Sequence, residues 1–151
     1  MEIKKIKKNK KQYLSLLLLA DEQENMIYRY LERGDMYALF DHDLKTVCVV
    51  TNEGNGVFEL KNIATLPQYQ RMGYGKLLID YISNEYKNKG TTLTVGTGDS
   101  PLTISFYEAC GFTQSHRLKN FILDNYDRPI FECGKQLIDM VYFKKVLNND
   151  K

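Results

Sequence analysis

Residues 57–98 constrain the fold more than any other stretch. Residues 57–66 alternate as an extended run, and Pro67 stops them because proline offers no ladder donor. From Gly73 to residue 88 the pattern is helical, with Leu77, Leu78, Tyr81, Ile82 and Tyr86 as the expected buried face. Gly90 then releases the chain into residues 91–97, rich in β-branched side chains. A strand, a helix and a strand in that order make a crossover and a parallel pair. The joint, Gln70-Arg71-Met72-Gly73-Tyr74-Gly75-Lys76, has the makings of an anion cradle. Two glycines one residue apart leave no side chain between backbone and ligand. The helix that opens there has unpaired N–H groups and a positive dipole end. Arg71 and Lys76 add charge of the same sign.

Two nucleotide fingerprints fail at this joint. A Walker loop needs a glycine where Gln70 stands and a hydroxyl where Leu77 stands, so the usual magnesium ligand is missing. A dinucleotide fingerprint needs a third glycine at Leu78. A third pattern fits. Gln70-x-x-Gly73-x-Gly75, entered through Leu66-Pro67, resembles the pyrophosphate-binding motif of the GCN5-related N-acetyltransferases (GNAT). Downstream, Ser105-Phe106-Tyr107-Glu108-Ala109-Cys110-Gly111-Phe112 resembles that family's Phe-Tyr-x-x-x-Gly-Phe segment, with a helix and one strand between the two motifs.

Around this centre the period is legible in both directions. Residues 2–6 read as a first strand and residues 11–20, dense in leucine, as a buried helix. Asp21-x-x-Glu24 reads as a capping-box variant with Asp21 as N-cap. Met26, Ile27, Tyr30 and Leu31 follow at helical spacing up to Gly34. Residues 36–40 and 46–51 are strands, and the turn at residues 52–56 leads antiparallel into residues 57–66. Ser100-Pro101 reads as N-cap and N1 of a further helix. Residues 112–115 begin a strand and residues 136–145 make the last one. Residues 117–135 suggest a short helix or packed loop, with an extended turn at Arg128-Pro129. No linker or repeat divides the chain, so residues 1–151 are expected to form one domain.

A net charge of +2 is too small to argue for nucleic acid as a partner. Lys4, Lys5, Lys7, Lys8, Lys10 and Lys11 read as a solvated face. Cys48, Cys110 and Cys133 form neither a disulfide framework nor a zinc pattern, and the first two read as packed thiols. Without a signal-peptide pattern or an apolar run of spanning length, the expectation is a soluble cytoplasmic protein with no membrane partner.

The resemblance implies an α/β (α+β) GNAT fold: a central, mixed, mostly antiparallel, splayed sheet of about six to seven strands flanked by helices. It implies acetyl-CoA as cosubstrate with no metal, and a primary amine as acceptor, on a small molecule or a protein, in a monomer or homodimer. It implies that the strands at 57–66 and 91–97 part, so that Ile63, Ala64 and Thr65 pair with the pantetheine arm like an added strand. The amides of Gln70, Arg71, Met72, Gly73, Tyr74, Gly75 and Lys76 would hold the pyrophosphate. Ser100 and Thr103 stand where Asn and Ala are common in the family, and with Phe106 they complete the expected contacts to the arm.

Direct aminolysis of a thioester needs a base, because an ammonium has no lone pair. Glu59, eleven residues before Gln70, matches a glutamate that serves as base in part of the family. The plain alternative is a strand carboxylate paired with Lys61, and the residues leave both open. Alternation puts Glu59, Lys61, Ile63 and Thr65 on one face unless a bulge intervenes. Tyr107 is the candidate acid for the departing thiolate. His42 and His116 have no partners that suggest a hydrolase triad. Asp124, Asp127 and Glu132 read singly as loop residues and together as a rim suited to a cation. The rival readings are a non-catalytic acyl-CoA-binding or regulatory module on the same fold, and a basic interaction protein using the lysine-rich start.

Overall fold

A computed structural model describes residues 1–147, so residues 148–151 of the expected domain lie outside the described residues. In chain order the elements are β1 (Glu2–Ile6), α1 (Leu14–Leu17), α2 (Glu24–Ile27), β2 (Asp35–Asp41), β3 (Asp43–Gly54), β4 (Val57–Thr65), α3 (Tyr74–Tyr86), β5 (Thr92–Gly98), α4 (Pro101–Ala109), β6 (Thr113–Leu118), α5 (Phe121–Asn125), β7 (Ile130–Glu132), β8 (Lys135–Leu137) and β9 (Met140–Val146). Seven strands form one sheet in the order β1-β2-β3-β4-β5-β9-β6, and β7 pairs with β8 apart from it. Only β4 and β5 run parallel; every other neighbouring pair is antiparallel. This is the expected mixed, mostly antiparallel sheet.

The sheet is buried on both faces through its middle. Alternate residues of β2 and β3 separate into two cores, as a period of two requires. Tyr37, Leu39, Cys48 and Val50 meet Leu78, Ile79, Ile82 and Tyr86 of α3. Met36, Ala38, Val47 and Val49 meet Leu16, Leu17, Ile27 and Leu31. Two-sided burial explains why these strands read as near-continuous apolar runs. Asn55 and Gly56, with φ of 55° and 79°, join β3 to β4 as a two-residue turn that only such residues make readily.

Several sequence expectations shift. The leucine-rich run is a 3-10 turn (Lys10–Tyr13) followed by the short α1, because i→i−3 bonds from Leu19 and Ala20 end the helix early. Asp21 is not an N-cap: Gln23 holds that position without a side-chain bond, and the Asp21 carboxylate accepts from Tyr30 and Tyr126 instead. On α3 the buried face is rotated toward Ile79, leaving Leu77 and Tyr81 partly exposed at 41% and 36%. Gly34 has no left-handed φ; a Cβ there would lie 2.5 Å from the Val49 side chain, so close approach selects glycine. Lys10 is not a solvated charge, since its ammonium donates to the carbonyls of Leu31, Glu32 and Gly34. The last strand is split: β8 pairs with β7, and β9 inserts between β5 and β6. Cys48 and Cys110 are buried as expected, while Cys133 is exposed. Among the described residues no helix is long and apolar enough to cross a membrane.

Candidate functional site

The site begins where β4 and β5 separate. They pair from Val57–Thr92 to Leu60–Val95 and no further. Val50 of β3 opposes Leu60 while Val49 opposes Asn62, so Lys61 is a bulge. The bulge breaks the expected alternation: Leu60 and Ile63 pack on the α3 side, whereas Glu59 and Lys61 lie together with Nζ and Oε2 3.2 Å apart. Past Val95, β5 is held only by β9. A Cβ on Gly96 would sit 2.8 Å from the Tyr142 ring and 3.0 Å from the Met140 sulfur, so glycine lets β9 side chains lie across β5 at the fork.

Between the parted strands lies a cavity of about 610 Å³. Ile63, Ala64 and Thr65 form one wall; they pair with Cys48, Val47 and Thr46 of β3 and have no strand on their other edge. Thr103, Phe106 and Tyr107 of α4 face them. Ser100 is fully buried, does not line the cavity, and leaves its hydroxyl without a partner.

The glycine bend closes one end. Arg71 and Gly73 have φ of 64° and 89°, and Gly73 caps α3 in that left-handed form. Backbone N–H groups of residues 71–76 make no bond to a main-chain or side-chain acceptor among the described residues; the first α3 bond to the bend is from Leu77 to the Gly73 carbonyl. A run of free N–H groups at a helix start is an anion-binding concavity. Gln70 differs, because its N–H is committed to the Pro67 carbonyl at 3.3 Å and its side-chain amide to the Thr65 carbonyl at 3.1 Å. Met72 is exposed and stands outside the cavity wall. Gly75 packs closely under α4: a Cβ there would lie 3.1 Å from the Phe106 ring, a tight contact that the ring would have to ease. Beneath the bend, the buried Lys45 ammonium sits 3.4 Å from the Tyr69 ring centroid, and Tyr74 donates to Asp41 at 2.8 Å.

Glu59 does not line the cavity, although its partner Lys61 does, and Tyr142 also donates to its Oε2 at 3.2 Å. Tyr107 lines the cavity, has no hydrogen-bond partner, and is held well above the usual phenol range by burial. The lining also includes Asp21, Glu22, Tyr126 and Glu132, and Asp21 is joined through Tyr30 to Asn62 beside the bulge. Sequence spacing could not reveal the pairing of Asp21 with Tyr126 across 105 residues. Of the three acidic residues singled out in 117–135, Glu132 alone lines the cavity.

A sheet forked beside a glycine bend and a helix start is an architecture shared with known acetyltransferases. Residues 32–114, over half of the chain, match the Acetyltransferase (GNAT) domain, and the chain belongs to that family. It is 39% identical over 129 residues, 83% of each chain, to an uncharacterized N-acetyltransferase, YvbK, of Bacillus subtilis. A GNAT family acetyltransferase from Elizabethkingia anophelis, crystallised with acetyl-CoA bound, superposes with a TM-score of 0.90 at 30% identity over 96% of this chain and 97% of that one. A Bacillus subtilis acetyltransferase in complex with CoA superposes at 0.87 with 34% identity, over 96% and 97%.

Proposed function

We propose that this chain transfers an acetyl group from acetyl-CoA to a primary amine by direct attack of the amine on the thioester. The observation that carries the reading is the fork with its unpaired strand edge beside six uncommitted amides, on a fold whose relatives were crystallised with CoA or acetyl-CoA. A diphosphate suits the bend at residues 71–76, where free N–H groups, the α3 dipole and the cations Arg71 and Lys76 act together. Ile63, Ala64 and Thr65 offer their free edge to the amide-bearing arm, and Thr103 and Phe106 close over it. Gln70 braces the bend through its side-chain bond to the Thr65 carbonyl, and the Ser100 carbonyl accepts from the Ile104 N–H at the start of α4.

The thioester supplies an activated acyl group; the chain supplies the proton handling. Glu59 takes the amine proton through a water, since Lys61 lines the cavity and Glu59, paired with it, does not. Tyr107 keeps its proton at neutral pH, so it serves the departing sulfur as a hydrogen-bond donor. The second reading, a non-catalytic acyl-CoA-binding module, draws on the same Glu59 geometry: both Lys61 and Tyr142 already engage that carboxylate. Acetyl-CoA should raise the melting temperature by mass action, and an amine panel with thiol-release detection should show turnover. No shift at millimolar acetyl-CoA would overturn the cosubstrate assignment; a shift without turnover on any amine would favour the binding module.

A further inference from the structure

We propose that the acceptor carries a second cationic group, an ammonium or guanidinium apart from the reacting amine, and that Asp21 anchors it. This deepens the transferase reading and rests on it for which amine reacts.

The cavity carries charge of both signs. Its lining cations are Lys61, Arg71 and Lys76, and Lys61 is already paired with Glu59. The other two belong to the glycine bend. The lining also holds three carboxylates, those of Asp21, Glu22 and Glu132, and Asp21 is tied through Tyr30 to Asn62, beside the bulge rather than at the bend.

Asp21 is the built member of that acidic set. Tyr126 donates to one carboxylate oxygen at 2.7 Å and Tyr30 to the other at 3.0 Å. An ionised carboxylate has about four acceptor sites, so two donors, one on each oxygen, fix its orientation and leave acceptor directions open. Both phenols spend their protons on Asp21 and can present only lone pairs to anything further.

A second, independent atom points the same way. Asn62 lines the same cavity and is 4% exposed. Its amide nitrogen donates to the Leu17 carbonyl at 3.1 Å and to the Tyr30 hydroxyl at 3.0 Å. Its buried Oδ1 has no donor among the described residues. Proton donation therefore runs in one direction, from Asn62 to Tyr30 to Asp21, and the group ends with an open amide oxygen and an open carboxylate direction. Every open atom is an acceptor. The complement is a group with only donors, and beside a carboxylate the charged groups of that kind are ammonium and guanidinium. Burial pushes the Asp21 carboxyl up from the usual aspartate value against the pull of its two phenol hydrogen bonds and the charge of Arg29, and a cation arriving in the cavity would relieve that. Leu19, Ile122, Ile130 and Leu137 supply apolar wall on the way, which suits a methylene spacer.

The test compares putrescine with n-butylamine, amines alike in length and differing in one charge. Calorimetric titration into the full chain should show putrescine binding about ten- to hundred-fold more tightly, the range expected for a hydrogen bond to a charged group. The kcat/KM values for acetyl transfer should follow that ratio, through KM. Asp21→Asn should bring both ratios close to one, and Glu132→Gln, which leaves the Asp21 network untouched, should lower them by less. A wild-type ratio near one overturns the proposal, as does a ratio that survives Asp21→Asn. If Asp21→Asn does not fold by circular dichroism, the wild-type and Glu132→Gln ratios decide. The titration needs no turnover, so a chain that binds putrescine selectively but never shifts with acetyl-CoA would sink the transferase reading and keep the anchor.

Discussion

β4 and β5 are one strand pair with two characters. From Val57 to Leu60 they are zipped in register, and their inward side chains belong to a core sealed by α3. From Lys61 and Gly96 onward the same two strands share no pairing and line a cavity. The difference comes from two single-residue devices, a bulge at Lys61 and a glycine at Gly96 that makes room for side chains from β9. The closed half is stabilised by apolar burial; the open half leaves hydrogen-bonding groups for a ligand. Substitutions in the first should act on stability and those in the second on binding and rate.

The sharpest trial is Glu59, which sits in the zipped register opposite Thr94 yet borders the fork through Lys61. Glu59→Gln keeps the shape and should lower kcat about 10²- to 10⁴-fold, the usual contribution of a general base, with acetyl-CoA affinity unchanged. An unchanged kcat with a loss of stability would move Glu59 to the structural half. Leu93, fully buried and paired with Phe58 in the zipped half, is the stability counterpart. Leu93→Ala should cost about 2–5 kcal/mol of unfolding free energy in a urea titration, while the folded fraction binds acetyl-CoA as before. Gly73→Glu should do the reverse. A carboxylate beside the free amides should weaken acetyl-CoA binding about a hundred-fold, which is near 2.7 kcal/mol, and the left-handed φ of 89° adds about 1 kcal/mol of strain. Binding that survives Gly73→Glu would displace the cradle.

The same division separates what the sequence reveals from what it hides. The crossover was legible because Pro67, Gly73 and Gly90 punctuate it locally, and local punctuation is what backbone sterics write into a chain. The strand positions of β2 to β5 followed from alternation and turn residues. The phase of α3 did not, because Leu77 and Ile79 are equally apolar and only the partner surface chooses between them. The insertion of β9 between β5 and β6 depends on long-range pairing that no local pattern records. At the site, the glycine bend was readable, whereas the bulge at Lys61, the commitment of the Gln70 N–H and the Asp21–Tyr126 contact exist only once distant segments meet. Asp21 is instructive: its spacing to Glu24 fits a helix cap, but two phenols arriving from elsewhere outcompete a local bond to one N–H.

The smallest expected effect lies at the far tip of the open half. Asp99 follows β5 directly, and its carboxylate takes Arg117 of β6 at 3.0 Å and Lys135 of β8 at 3.4 Å. Partial burial works to raise its pKa, but the hydrogen bond and charge of Arg117, with Lys135 beside it, outweigh burial and hold it below the usual aspartate range. A depressed folded pKa means that the unfolded chain takes up the proton first as pH falls. The stabilisation is therefore complete above the ordinary aspartate value of about 4, and it is lost as pH drops through the lower folded value. Because the partners are about half exposed, solvent screening limits the contribution to about 0.2–1 kcal/mol. Asp99→Asn should thus lower the stability slightly at neutral pH and converge with wild type in acid, and added salt should narrow the gap. The comparison adds a further demand. If Asp99 helps hold β5 toward β6 and β8, away from β4, its loss should loosen the fork and weaken acetyl-CoA binding about two-fold or more, although Asp99 lies outside the cavity lining. A stability change without any binding change would confine the ion pairs to tethering the tip, and leave the bulge at Lys61 and the glycine at Gly96 as the devices that part the strands.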